Sequence, residues 1–467
     1  MSRAVLGAKT FVRPVGPPNR APLAQKWWNR RAGSGSFTRM SRLLQRLVDV
    51  RSDEVAALLW SFAYFFLLLA GYYVLRPVRD QLGISRGAEK LPVLFTGTFV
   101  AMLLASPLFG GLASRWPRQK LVPWVYHFFA LNLVAFVVLW RGGVGRSWVP
   151  FAFYIWSAVY DLFVVSVFWS LMTDLFSPAQ GKRLFGFIAA GGSLGALAGP
   201  AAASLLAEAL GAINLLLLSA VSLEATVLCV AMLVRWARAN PVESAPARVT
   251  RAEEPIGGTV WSGLQPVVAS PYLLASAGYI FLLTVGQTFL YLQQAKLIEL
   301  ASEDPGARTA MFALIDLVVN VSTLALQLLV TGRLLNRLGI TVALSITPLL
   351  TALGFAYLAI APAVRAVAVF QGARRAAQRA ILRPSREVLF TVVSREERYK
   401  SKNFIDTAVF RAGDMLSGWL YAALSRLGMG MVGIAWVSVP ISMIWLGLGV
   451  YLGREQQKRA EPSVPTL

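Results

Sequence analysis

The sequence predicts an all-α polytopic membrane protein, with twelve transmembrane helices in two six-helix halves. Three observations carry that expectation. Of the 467 residues, 56% are hydrophobic and only 15% charged, and the mean hydropathy is +0.58, too apolar for a soluble globular chain. Twelve apolar runs long enough to cross a bilayer follow one another near 54–77, 91–113, 120–140, 148–176, 184–208, 211–234, 271–293, 309–331, 340–361, 363–393, 403–425 and 429–452. The interruptions between them alternate in positive charge.

Composition also excludes several classes of function. A net charge of +22 would point to nucleic acid in a soluble protein, but here it lies in the interruptions, where topology puts it. No nucleic-acid partner is therefore expected. The one cysteine, Cys229, excludes an internal disulfide and a cysteine-based metal cage. The one histidine, His127, lies inside an apolar run and reads as a packing residue rather than a proton relay. No nucleophile–base pair or metal constellation stands out, so neither an enzyme nor a cofactor is expected.

Taken in order, residues 1–53 form a basic tail rich in Arg, Gly and Pro, with no acid before Asp49, and cannot bury a core. The same composition suits a targeting peptide. Met40 opens a short amphipathic lead-in and is read as an alternative start. The first span ends in Ala70–Ile84, AGYYVLRPVRDQLGI. At about 1.5 Å per residue, Arg76 lies roughly 30 Å from Val55, so Arg76, Arg79 and Asp80 are expected at or just inside the far boundary. A lone arginine there would snorkel to the interface; two with an aspartate point to an anion site. Loops after even-numbered spans carry the basic residues, which puts both termini in the cytoplasm. The polar stretch 235–270 reads as a cytoplasmic linker between halves 54–234 and 271–453, and 454–467 as a cytoplasmic tail.

An internal repeat supports the two halves. Gly110-Gly-Leu112-Ala-Ser-Arg115-Trp-Pro-Arg118 follows the second span, and Gly332-Arg-Leu334-Leu-Asn-Arg337-Leu-Gly339 follows the eighth. The pattern resembles the Gly-x-Leu-Ala-Asp-Arg-x-Gly-Arg loop of the major facilitator superfamily, with Ser114 and Asn336 in place of Asp. In the fifth span Gly191, Gly195 and Gly199 stand four apart on one face, a groove for close helix packing. The run is similar to the glycine-proline motif of facilitator antiporters, which implies exchange.

The tenth span holds Arg374, Arg375, Arg379, Arg383, Arg386 and Glu387. At about 2.5 to 3.5 kcal/mol per central arginine, this set cannot face lipid. Arg375, Arg379 and Arg383 follow i, i+4, i+8, and Arg386 continues the stripe, so one helical face is cationic. Either the arginines pair with Asp161, Asp316, Asp406 and Asp414, or they hold a multiply charged anion, whose phosphate oxygens match the guanidinium fork. Asp161 in the fourth span is a site residue or an arginine partner. Gln287, Tyr291, Gln293, Gln294 and Lys296 end the seventh span as donors and acceptors suited to a base or sugar, or as a wet helix end.

From about Trp60 to Ser417 the chain resembles the ATP/ADP translocase type of nucleotide transporter, found in plastids and intracellular bacteria. Leu75-Arg76-Pro-Val-Arg79-Asp80-Gln-Leu82 is similar to its Leu-Arg-Asp-Thr-Lys-Asp-x-Leu. Phe168-Trp169 with Gly181-Lys182-Arg183-Leu184-Phe185 resembles its Phe-Trp and Ala-Lys-Arg-Phe-Tyr stretches; Pro384-Ser385-Arg386-Glu387 resembles Pro-Thr-Lys-Glu, and Lys400-Ser-Lys402-Asn-Phe-Ile405-Asp406 resembles Lys-Gly-Lys-Ala-Ala-Ile-Asp. The resemblance implies nucleotide exchange, with Arg79, Asp161 and Arg386 or Lys402 in the site. It departs where Arg replaces Lys at Arg79 and Arg386, and where the seventh-span Glu is replaced by Gln293 or Gln294.

The expectation is a multi-pass protein of a bacterial inner membrane, partnered by the lipid bilayer and a small anionic substrate, with the oligomeric state left open and compatible with a monomer. Arg76, Arg79, Asp80, Asp161, Gln293, Arg375, Arg379, Arg383, Arg386 and Lys402 form its substrate set. Gly110, Arg115, Gly191, Gly195, Gly199, Gly332 and Arg337 form its packing set. A proton-coupled transporter of another organic anion and a non-transporting scaffold or sensor are the alternatives.

Overall fold

Ten helices among the described residues are long and apolar enough to cross a membrane. They coincide with the expected runs except the tenth and eleventh, whose charges and broken helical geometry take them below that threshold. The computed structural model describes residues 50–51, 53–115, 118–143, 147–239, 263–329 and 331–460. The side chains of 106–115, 118, 178–179, 182, 328–329, 331–338, 395–396, 398–399 and 403 stand outside the description.

The helices are α1 (Val55–Ile84), α2 (Leu91–Arg115), α3 (Arg118–Arg141), α4 (Val149–Leu175), α5 (Pro178–Leu210) and α6 (Leu215–Ala239), then α7 (Pro271–Ala301), α8 (Pro305–Leu329) and α9 (Thr331–Ile360). Next come α10 (Val364–Ala377, π-helical Gln378–Leu382, Arg383–Leu389) and α11 (Arg395–Phe404, π-helical Ile405–Val409, Phe410–Arg426). Last is α12 (Met431–Ala460). Most of the expected N-terminal tail, linker and C-terminal tail lies outside the described residues. Within the described part, a short helix Leu264–Ala269 leads into α7, and α12 runs on to Ala460.

Local chemistry sets several ends. Ser177 and Gln180 form a capping box at the start of α5, as do Ser394 and Glu397 at α11. Gly211 closes α5 at φ 80°, a conformation that only glycine adopts without strain. Gly339, at φ 72° and ψ 171°, kinks α9 away from its first turns.

α1 is the spine of the first half, packed against α5 and α6. A Cβ on Gly191 would lie 2.5 Å from the Phe62 carbonyl, on Gly195 2.3 Å from the Phe66 carbonyl, and on Gly199 2.6 Å from the Ala70 carbonyl. The glycine face of α5 therefore meets the α1 backbone directly, the approach that small residues permit. From the other side Ser219 donates to the Gly71 carbonyl at 2.9 Å and Ser222 to that of Leu67 at 2.7 Å. At the start of α1 the buried Glu54 accepts from the Arg51 N–H at 3.0 Å, from Gln180 at 2.9 Å and from the Arg183 guanidinium. Burial pushes the Glu54 carboxyl up, but these donors outweigh it and hold the group below the usual carboxylate range.

In the second half α9 packs on α12, and α7 on α11 and α12. The halves meet along α5–α8, α2–α11 and α1–α8. One apolar cluster joins them: Ile84, Leu91, Leu94 and Tyr154 from the first half with Tyr291, Ala295, Ile298 and Phe312 from the second. It closes the interface at the end of the bundle where α1 and α7 finish.

Candidate functional site

Just inside that closure lies a partly open cavity of ≈ 190 Å³. Both halves line it: Arg76 and Arg79 (α1), Phe95, Thr98 and Phe99 (α2), Tyr154 and Ala158 (α4), Gln287, Thr288 and Tyr291 (α7), Arg375 (α10), and Arg411 and Asp414 (α11). Four arginines and one aspartate thus face the space.

The charges reach it because α1 does not stop where its apolar run does. It continues through Pro77 to Ile84, so Arg76, Arg79 and Asp80 lie within the helix rather than at its boundary. Their one-turn spacing turns them to the same side, and acids inside the bundle make that tolerable. Arg79 binds Asp80 Oδ1 through Nε at 2.9 Å and Nη2 at 2.6 Å, and its guanidinium lies 5.2 Å from the centre of the Tyr154 ring. Asp80 also accepts from Tyr291 of the opposite half at 3.0 Å, and the Tyr154 and Tyr291 hydroxyls stand 3.4 Å apart. Arg76 Nη1 lies 3.4 Å from Asp316 Oδ1 on α8, and Arg375 Nη1 donates to the same oxygen at 3.2 Å. Asp161, on α4, stands in the field of Arg79, Arg76 and Arg411. Asp414 accepts from Thr288 at 3.1 Å.

The expected arginine stripe on α10 divides. Arg375 lies over Asp316, and Arg379 donates to Asn320 at 2.7 Å, one turn further along α8. The π-turn Gln378–Leu382 then adds a residue to the winding, which rotates the last turns of α10 by roughly 100°. Beyond it Arg383 is exposed and Arg386 pairs with Asp406, while Lys402 bonds Glu387 at 2.6 Å. Of the stripe, only Arg375 lines the cavity; Arg379, Arg383, Arg386 and Lys402 do not. Gln293 is also outside it, buried and donating to the Met431 carbonyl at 3.2 Å, and Gln294 accepts from Gln371 at 2.7 Å. Arg374, the arginine beside the stripe, is fully buried, bonded to Thr351, Gln378 and the Leu283 carbonyl. Gly110, Arg115, Gly332 and Arg337 stand at helix ends, with side chains outside the description.

Arg411, Tyr154, Thr288 and Phe95 escaped the reading of the sequence. Arg411 carried a signal: a charge three residues before Asp414, inside an otherwise apolar helix. The aromatic residues carried none, because a tyrosine in a hydrophobic run does not reveal which face it occupies.

Comparison with known proteins agrees with this geometry. Residues 94–373 match the family profile of the Major Facilitator Superfamily. The chain is 23% identical to ADP,ATP carrier protein 2 of Chlamydia pneumoniae over 509 aligned positions, covering 91% of this chain and 94% of that one. Among solved structures, a mutant of the nucleoside transporter NupG superposes with a TM-score of 0.61 at 13% identity, covering 86% of this chain and all of its own. A bacterial homologue of the human lysosomal transporter Spinster, inward-facing and unoccupied, gives 0.58 at 14% identity over 89% of this chain and all of its own. The likeness to the nucleotide carriers read from the motifs thus has a counterpart across nearly the whole chain, and the polytopic helical fold, the cavity at the half interface and the family match converge: the chain belongs to the major facilitator superfamily and is a membrane transporter.

Proposed function

We propose that this transporter exchanges anionic phosphorylated substrates, nucleotides first among them, by alternating access between its two halves. The observation that carries the reading is the meeting of Arg76 and Arg79 from one half with Arg375 and Arg411 from the other on one cavity. Guanidinium groups fit phosphate oxygens in pairs, and an anion held by both halves feels their relative movement. The aromatic rings of Phe95, Phe99, Tyr154 and Tyr291 beside them suit a planar base. The relative named an ADP,ATP carrier supports the same substrate class. In this reading the protein lies in a bacterial inner membrane with both termini cytoplasmic, so the closed end faces outward and the cavity is reached from the cytoplasm. Arg379, Arg383, Arg386 and Lys402 then lie along the approach, where cationic groups attract an anion before it reaches the cavity.

A ligand that binds the folded state raises its apparent stability. Purified protein should be stabilised by ATP, ADP or another nucleotide, and an Arg79→Ala variant should lose that response; exchange in liposomes is the second assay. Stabilisation by dicarboxylates alone, with none from any phosphorylated compound, overturns the reading. One observation favours a proton-coupled alternative: Asp414 lines the cavity and bonds Thr288 rather than an arginine. Uptake driven by an imposed pH gradient, with no counter-substrate, is its signature.

A further inference from the structure

Two of the cavity's four arginines, Arg76 and Arg375, already share an anion. Asp316 on α8 presents a single oxygen, Oδ1, to Arg76 from the first half and Arg375 from the second, at 3.4 and 3.2 Å. Its other oxygen, Oδ2, is buried with no hydrogen-bond partner. An ionised carboxylate has about four acceptor positions, so this one is crowded on one oxygen and empty on the other. Asn320, one turn along the same helix, repeats the pattern: it donates to the Ala196 carbonyl of α5 at 2.6 Å and accepts from Arg379 at 2.7 Å. One face of α8 therefore fastens the halves together through groups that also engage the arginines of α10.

We propose that Asp316 is the resident counter-anion of the empty transporter, which substrate must displace, and that this competition makes transport an exchange. The proposal rests on the reading of the cavity as a phosphate site. A phosphate offers several oxygens at once, enough to engage both Arg76 and Arg375, where Asp316 offers one. With substrate present the two arginines exchange one anion for another and the Arg76–Asp316 link across the halves opens without stranding a charge. Without it, separating the halves leaves the Arg76 guanidinium without its partner inside the membrane, while Asp316 keeps Arg375 of its own half, and stranding that charge is strongly unfavourable. The loaded carrier crosses, and the empty one stays.

The test replaces the carboxylate by its uncharged isostere, Asp316→Asn, in the full chain reconstituted in liposomes, with labelled ADP as probe. Wild-type uptake is expected only when the vesicles are preloaded with unlabelled ADP. The variant should take up ADP into empty vesicles at a rate within about twofold of its exchange rate, and its apparent affinity for ADP by thermal stabilisation should tighten by about tenfold, because the site is no longer occupied by its own competitor. Asp316→Glu keeps the charge and should keep strict exchange. Should Asp316→Asn not yield folded protein, Asp316→Ser leaves a small polar group and is judged by the same two readouts. Strict exchange with unchanged ADP affinity in the neutral variant overturns the proposal, as does equal uptake into empty and loaded vesicles by the wild type. A wild type that neither binds nor exchanges ADP, ATP or inorganic phosphate overturns the phosphate-site reading instead, and this proposal with it.

Discussion

Substituting Gly195 by alanine is expected to separate α5 from α1 and to weaken both stability and anion binding. The added methyl carbon would lie 2.3 Å from the Phe66 carbonyl oxygen and 2.9 Å from the Ala70 nitrogen, both backbone atoms that no rotamer change can move away. Reaching the 3.4 Å at which ordinary contact begins requires the helices to part by about 1.1 Å. Overpacking of this kind costs about 1–3 kcal/mol. The displacement also travels: Arg76 lies on the same rod, about 15 Å from Phe66, and its contact with Asp316 is already 3.4 Å. Gly186, on the same helix, is the control, because a methyl group there meets nothing within 4 Å. Gly186→Ala should be neutral or stabilise by up to about 1 kcal/mol, since alanine is the better helix former. The assay is thermal unfolding of both variants in detergent, with and without ADP. Equal stability of Gly195→Ala and the wild type, or equal loss in the two variants, would refute the direct backbone contact.

Three further outcomes are expected from the geometry. Arg79→Lys keeps the charge but loses the paired bonds to Asp80 and the contact with the Tyr154 ring; nucleotide affinity should fall about tenfold or more, read by ligand-induced stabilisation. Tyr291→Phe removes the 3.0 Å bond to Asp80 across the closed end, worth about 1 kcal/mol; in a Cys229→Ser background, the thiol introduced by Thr98→Cys should become several-fold more reactive to an impermeant maleimide added from that side. Glu54, its carboxyl held below its ordinary value of 4.5, contributes stability that is present above that pH and lost as pH falls through the lower folded value. The stability gap between wild type and Glu54→Ala, about 1–3 kcal/mol near neutrality, should therefore narrow below pH 4.5, measured as melting temperature against pH.

The residues determine, without any fold in hand, whatever depends on neighbours along the chain. Bilayer-length apolar runs, alternating basic loops and the paired Gly-Leu-Arg loops specify a polytopic helical protein of this superfamily, because hydrophobic transfer and charge placement are summed over local stretches. The glycines of α5 belong here too: a four-residue spacing marks a groove, and the groove meets α1. Tertiary structure alone decided which charges share a space. The α10 stripe is regular in sequence, yet a π-turn in its middle leaves Arg375 in the cavity and carries Arg386 to Asp406. The sequence offers Asp316 as one of four acids that could pair with the α10 arginines, but nothing in it selects Arg375, 59 residues away, or adds Arg76, 240 residues away, because electrostatic partnership in a membrane is set by distance through the bundle and has no periodicity to read. Arg411 and the facing tyrosines entered the site for the same reason: α4, α7 and α11 converge there, a fact held by the packing of the halves and by no single helix.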